Sequence, residues 1–130
     1  MITDTSLAWI DMETHRIELG GDGILRIANN PVDLTLDNIR PSLEYTQHVA
    51  KMRGGKIKII IDPAKMKSMS KEARNESKQQ LEKCTEALAV INRNPFVVFL
   101  FNLIMKEDKP GFPMRLFRDE KKAENWLKSV

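Results

Sequence analysis

The stretch IIIDPAKMKSMSKEAR, residues 59–74, gathers the side chains best placed to do chemistry. Ser68 and Ser70 carry hydroxyls between Lys67 and Lys71, just ahead of a polar segment of helical composition. A helix starting there would offer free first-turn amides, and with Lys67, Lys71 and Arg74 these make an anion site suited to a phosphate, free or attached to a serine. Ser70 has a simpler role open to it. A serine hydroxyl before a helix accepts a first-turn amide, worth about 1 kcal/mol, and Glu72 would suit the positive end of the helix dipole. Asp62 follows an apolar run, at the end of a strand where ligands gather in open α/β sheets. Directly before Pro63 it is also a turn initiator.

The remaining candidates carry less. His15 and His48 have no Cys, His or carboxylate at metal-ligand spacing, so both read as surface or hydrogen-bonded histidines. Cys84 is the single cysteine, which excludes an intramolecular disulfide and a multi-cysteine metal site and fits a reducing, cytoplasmic compartment. There is no phosphate-binding Gly-x-x-x-x-Gly-Lys loop, no Gly-x-Ser-x-Gly elbow and no paired acid/base motif. No catalytic residue, cofactor or metal is therefore expected, although an enzyme assembled from scattered residues would leave no such motif.

These residues need a scaffold, and the composition supplies one. A chain of 130 residues is about one domain, able to bury roughly two thirds of its unfolded surface. Its 42% apolar and 30% charged content is that of a globular protein, since disordered chains bury too little to offset their ordering entropy. A net charge of +3 falls short of the dense basic face that nucleic acid needs. The N-terminus lacks a basic start and an apolar core, so no signal peptide is read there. The longest apolar stretch, FVVFLFNLIM at residues 96–105, is half the roughly 20 residues that cross a bilayer, so no integral membrane segment is expected.

Two short apolar-rich runs, 16–19 and 24–27, flank Gly20-Gly21-Asp22-Gly23 and predict a β-hairpin. Residues 34–52 place Ile39, Leu43, Thr46 or Gln47, and Ala50 at helical spacing, with Asp37 or Thr35 as cap and Pro41 tolerable if it falls in the first turn. Gly54-Gly55 ends that helix, and the run 56–61, KIKIII, reads as a central strand. The next helix, about 70–83, has few apolar positions and should mostly face water. TEALAVI, 85–91, suits a buried strand better than a helix. Asn94-Pro95 caps and opens a helix to about residue 105, with strand as the alternative. A loop at 106–113, a strand at 114–117 and a helix capped by Asp119 complete the order ββαβαβαβα, an α/β mostly parallel sheet with helices packed against it. Residues 1–14 read as an N-terminal extension and 15–130 as a single domain.

DGIL at 22–25, IIID followed by MKSMSKEAR, and above all PGFPMRLFRDEKKAENWL at 110–127 resemble a group of uncharacterised small bacterial proteins of SpoIIAA-like, STAS/Sec14-type fold. The likeness covers about residues 17–128. It implies a mixed sheet with helices packed against it, which agrees with the order read from the residues. Better-known members of that superfamily are regulators, anti-sigma-factor antagonists that bind a partner kinase and are switched by phosphorylation of a serine at a helix N-terminus. The counterpart here is the turn holding Ser68 and Ser70, where the run Lys67-Ser68-Met69-Ser70-Lys71 lacks the Asp and Gly of the antagonists' Asp-Ser-(Ser/Ala)-Gly motif.

The helix at 96–105 has no polar face. Either it is fully internal, or it forms a second partner surface around Phe96, Phe99, Leu100 and Leu103, for a homodimer or an apolar ligand, with Trp9 able to cover part of it. The expected function is a non-enzymatic cytoplasmic regulatory or protein-binding module, with an unidentified protein partner or a second copy of itself. The alternative, from the same resemblance, is a Sec14-like carrier of a small apolar ligand or lipid, with its pocket beneath this helix.

Overall fold

A computed structural model describes residues 9–107 and 109–130. Residues 1–8 of the expected N-terminal extension, and Asp108 in the loop after the apolar helix, lie outside the described residues. The first element is a two-residue strand, β1 (Ile10–Asp11), paired antiparallel with β2 (His15–Leu19). β2 turns into β3 (Ile24–Asn29) through the expected glycine-rich reversal, where Gly23 takes a φ of +83° and Asp22 Oδ1 accepts from the Ile24 amide. The hairpin register sets His15 opposite Asn29.

After β4 (Asp33–Leu34), helix α1 (Leu36–Met52) begins at Thr35. Thr35 Oγ1 accepts from the Asn38 amide while the Asn38 side chain accepts from the Thr35 amide, a reciprocal cap. Pro41 falls in the second turn rather than the first. Gly54 and Gly55 both take positive φ, and the Gly55 amide reaches back to the Ala50 carbonyl, which ends the helix. β5 (Ile57–Asp62) follows, then β6 (Ser68–Met69), α2 (Lys71–Cys84), β7 (Thr85–Ile91), α3 (Pro95–Glu107), β8 (Met114–Phe117) and α4 (Glu120–Ser129).

Six strands form one sheet in the order β1-β2-β3-β5-β7-β8, antiparallel at the β1-β2-β3 end and parallel from β3 onward. β4 and β6 make a separate two-stranded parallel ribbon. The order is the expected ββαβαβαβα with three two-residue strands added, each too short to show a period of two.

The strands alternate cleanly between two apolar faces. On one face Ile17, Leu25, Ile59 and Leu88 pack with Val49 and Ala50 of α1. On the other, Ile24, Ile60, Ala89 and Ile91 pack with Ala123 and Leu127 of α4. A third cluster joins Leu34, Ile39, Leu43, Met66 and Ala73 beside the ribbon. α4 is tied down further by Arg26, whose guanidinium holds Asp22 at 3.1 Å and Glu124 at 2.7 Å. α2 does not simply face water: Ala73 and Cys84 are buried, and much of the rest is half-buried against α1.

α3 behaves differently from the other helices. Asn94 Oδ1 accepts from the Val97 amide, which makes Asn94 the cap ahead of Pro95. Yet of its thirteen residues only Val97 is buried. The helix stands over the sheet instead of packing into it.

Candidate functional site

The polar groups of the turn after β5 are already engaged. Ser70 caps α2, its Oγ accepting from the Ala73 amide at 3.0 Å. Ser68 sits on β6 and donates to Asp33 Oδ1 at 2.6 Å. Asp62 accepts from the Ala64 amide through one oxygen and from Arg93 Nε through the other. Lys67 and Lys71 are exposed. Met66 and Met69 of the same turn face inward and line a cavity.

The cavity measures about 190 Å³, lies between the sheet and helices α1, α2 and α3, and is partly open to solvent. It far exceeds the ~10–15 Å³ that one water needs. Ile27, Leu88 and Val90 form its floor, Ile39 and Leu43 of α1 and Leu81 of α2 its walls, and Leu100, Phe101 and Ile104 of α3 its roof. Among the proposed apolar residues, Leu100 thus faces inward, while Phe96 and Phe99 are 39% and 62% exposed on the outer side and Leu103 is half-buried. Trp9 does not line the cavity; its exposed ring lies under the Arg16 guanidinium at the sheet edge.

One corner of the cavity is polar. His15 Nδ1 lies 2.7 Å from Thr14 Oγ1 and 2.9 Å from Ser42 Oγ, and the two hydroxyls are 2.9 Å apart. His15 Nε2 is 3.2 Å from Asn29 Nδ2 across the hairpin. Thr46 completes this corner, donating to the Ser42 carbonyl one turn back. All five residues are buried. Burial pulls the His15 pKa down to about 4, because a charged imidazole is poorly solvated there. At neutral pH it is uncharged.

A serine touching a buried imidazole raises the question of nucleophilic catalysis. With the Asn29 amide oriented as it is, its N–H donates to Nε2, so the single imidazole proton sits on Nδ1. Nδ1 then donates toward the hydroxyls and has no lone pair with which to activate Ser42. Ser42 also lies inside α1, where backbone amides are used within the helix and none is free to stabilise an oxyanion. The arrangement can bind a polar group; it lacks the parts of a hydrolase.

Arg74, Ser77 and Lys78 of α2 also line the cavity. Arg74 Nη2 reaches Glu107 Oε1 at 3.4 Å, linking α2 to the end of α3 where the cavity meets solvent. Among the described residues no group of His, Cys, Asp and Glu could hold a metal ion, and no helix is long and apolar enough to cross a membrane.

His15 and Ser42 carry a signal in the sequence that lies in their placement rather than in any motif. His15 has the same strand parity as Ile17 and Leu19, and Asn29 the same parity as Leu25 and Ile27, so both point inward with the core. Ser42 lies on the stripe of Ile39, Leu43 and Thr46. Three polar residues on inward positions of three elements announce a buried polar contact.

Residues 17–130 match a family model described as "Domain of unknown function (DUF7793)". No curated protein matches the chain. Among solved structures it is similar to an uncharacterized protein from the DUF3478 family with a SpoIIAA-like fold, from Shewanella loihica PV-4. The TM-score is 0.63 at 19% sequence identity, over 91% of this chain and 98% of that one. The likeness establishes a SpoIIAA-like fold, in agreement with the sequence.

Proposed function

The chain belongs to the DUF7793 family, and we propose that it is a non-enzymatic cytoplasmic module that encloses one small, mainly apolar ligand beneath α3. The observation that carries this reading is the cavity of about 190 Å³. Protein interiors pack as densely as organic crystals, and voids beyond a water's size are few. A large apolar cavity with a few convergent polar groups is the usual form of a small-molecule site. Its roof also accounts for the composition of α3: a helix that covers a ligand rather than a core needs an apolar inner face without close packing. The Arg74–Glu107 pair closes the seam between α2 and α3, and being partly exposed it can open without a large cost.

The test is displacement of a fluorescent apolar probe, compared between the native chain and Leu100→Trp. The native chain should bind one probe per molecule and melt at a higher temperature with it, since a ligand at a hundredfold over Kd adds about 2.7 kcal/mol. Leu100→Trp should fill the space, abolish probe binding and leave the fold intact. If the chain binds no apolar probe, and Leu100→Trp instead destabilises by the ~1–3 kcal/mol of an overpacked core, the reading fails.

A second reading, a protein contact on the outer side of α3, is favoured by the exposed Phe96 and Phe99. The partner would be a second copy of the chain or an unidentified protein, since apolar patches on a surface mark interaction sites. Sedimentation of the native chain against Phe99→Lys decides it. A dimer that the substitution splits supports the contact; a monomer in both removes the homodimer.

A further inference from the structure

We propose that the ligand is an uncharged carbonyl compound with an apolar body, a ketone or ester whose oxygen accepts a hydrogen bond from Ser77, with Ser42 as a second donor. The proposal rests on the ligand-binding reading above and names the chemistry of that ligand.

Ser77 is the starting point. Ser77 lines the cavity, and its Oγ is shielded from solvent and has no hydrogen-bond partner among the described residues. Buried hydroxyls are normally satisfied, and one that is not points to a missing partner. A serine inside a helix can bond the carbonyl four residues back, here that of Ala73, but Ser77 makes no such bond. The group is therefore a donor without an acceptor, on a residue that lines the cavity.

Ser42 reaches the same condition by a count of protons. The Asn29 amide donates to His15 Nε2. The imidazole proton on Nδ1 goes to its nearer neighbour, Thr14 Oγ1 at 2.7 Å. The Thr14 hydroxyl proton then goes to Ser42 Oγ at 2.9 Å. The Ser42 proton is left with the Met12 thioether sulfur at 3.6 Å, a weak acceptor. The chain of hydrogen bonds thus ends on a donor at the cavity wall. Two helices, α1 and α2, each present an O–H and no competing acceptor of comparable strength.

Charge selects the class of acceptor. Both cations lining the cavity are paired, Arg74 with Glu107 at 3.4 Å and Lys78 with Glu82 at 3.2 Å. A buried carboxylate without a cation of its own is strongly disfavoured. A neutral carbonyl needs only the hydroxyls already in place.

The experiment measures binding of 2-octanone, octane and octanoate, by competition with an apolar fluorescent probe, to the native chain, Ser77→Ala and Ser77→Thr. Ser77→Ala should weaken 2-octanone by about 2- to 10-fold, the net worth of one hydrogen bond, and leave octane unchanged. Ser77→Thr keeps the hydroxyl and should retain the ketone affinity. The unliganded melting temperature should not fall in Ser77→Ala, because the hydroxyl has no bond to lose. The proposal is overturned if the substitution affects ketone and alkane alike, or if it destabilises the unliganded protein. It is also overturned if octanoate binds most tightly and Arg74→Gln weakens it, which would make the ligand an anion. Failure of all three compounds to bind would sink the ligand reading itself, a different result from equal binding of ketone and alkane by both variants.

Discussion

Acid should destabilise this protein through His15, by an amount that follows from its surroundings. The side chain belongs to a residue only 8% exposed, and its partners Thr14, Ser42 and Asn29 carry no charge. Burial lowers the folded pKa to about 4, whereas the unfolded imidazole titrates near ~6.5. Between those values the unfolded chain binds the extra proton and the folded chain does not. Stability is therefore full above about pH 6.5 and is lost as the pH falls toward about 4. A shift of this size is worth about 3 kcal/mol, a substantial part of the ~5–15 kcal/mol that holds a domain together. The assay is urea unfolding from about pH 7 to about pH 4.5, on the native chain and on His15→Gln. Glutamine does not titrate, so the variant should lose less stability over that range, whatever its starting value. Parallel curves for the two proteins, or an NMR titration of His15 near its ordinary pKa, would refute the argument.

Ser70→Ala should cost about 1 kcal/mol by removing the cap of α2, while Ser70→Asp, a good cap itself, should unfold at nearly the native urea concentration. Ser68→Ala should cost less, since the hydroxyl it removes bonds Asp33 at an exposed position; a larger loss than at Ser70 would give β6 a structural weight the hydrogen bonds do not suggest. Arg26→Met should lower stability by about 2 kcal/mol, because it strips a charged partner from half-buried Glu124 and from Asp22. The Arg26 hydrogen bond holds the Asp22 carboxyl below its usual range, so that share is present at neutral pH and fades as the carboxyl protonates in acid. Equal unfolding midpoints for Arg26→Met and the native chain would contradict both statements.

The elements were legible where local chemistry and periodicity agree. KIKIII has the continuous apolar run of a strand covered on both faces, and Ile59 and Ile60, on opposite sides of the sheet, are both buried. Asp119 followed by Ala123 and Leu127 at helical spacing gave α4 and its buried face together. The short strands β1, β4 and β6 were not legible. Two residues show no period; β1 is a short addition beside β2, and β4 and β6 exist only because each supplies the other's hydrogen bonds across a long stretch of chain.

The site was harder to read for a different reason. Sequence motifs favour groups that are close along the chain, and the serines at 68 and 70 drew attention because two lysines flank them. Their hydroxyls turn out to hold the backbone and Asp33. The polar corner of the cavity is assembled from β2, β3 and α1, with His15 and Ser42 27 residues apart, so no motif could contain it. What the sequence did record was placement: His15, Asn29 and Ser42 all stand on inward positions of apolar patterns. A polar residue that breaks an apolar stripe must find a partner or lose about 1–3 kcal/mol, and three such breaks on adjacent elements can satisfy one another. The apolar run 96–105 of α3, broken only by Asn102, is the complementary sign, since a helix with so little polar surface needs apolar surroundings on more than one side. Taken together, inward polar residues below and an apolar helix above describe an apolar cavity with a polar corner. Neither sign alone distinguishes such a space from an ordinary packed core; the shallow seating of α3, with only Val97 buried, is the tertiary fact that does.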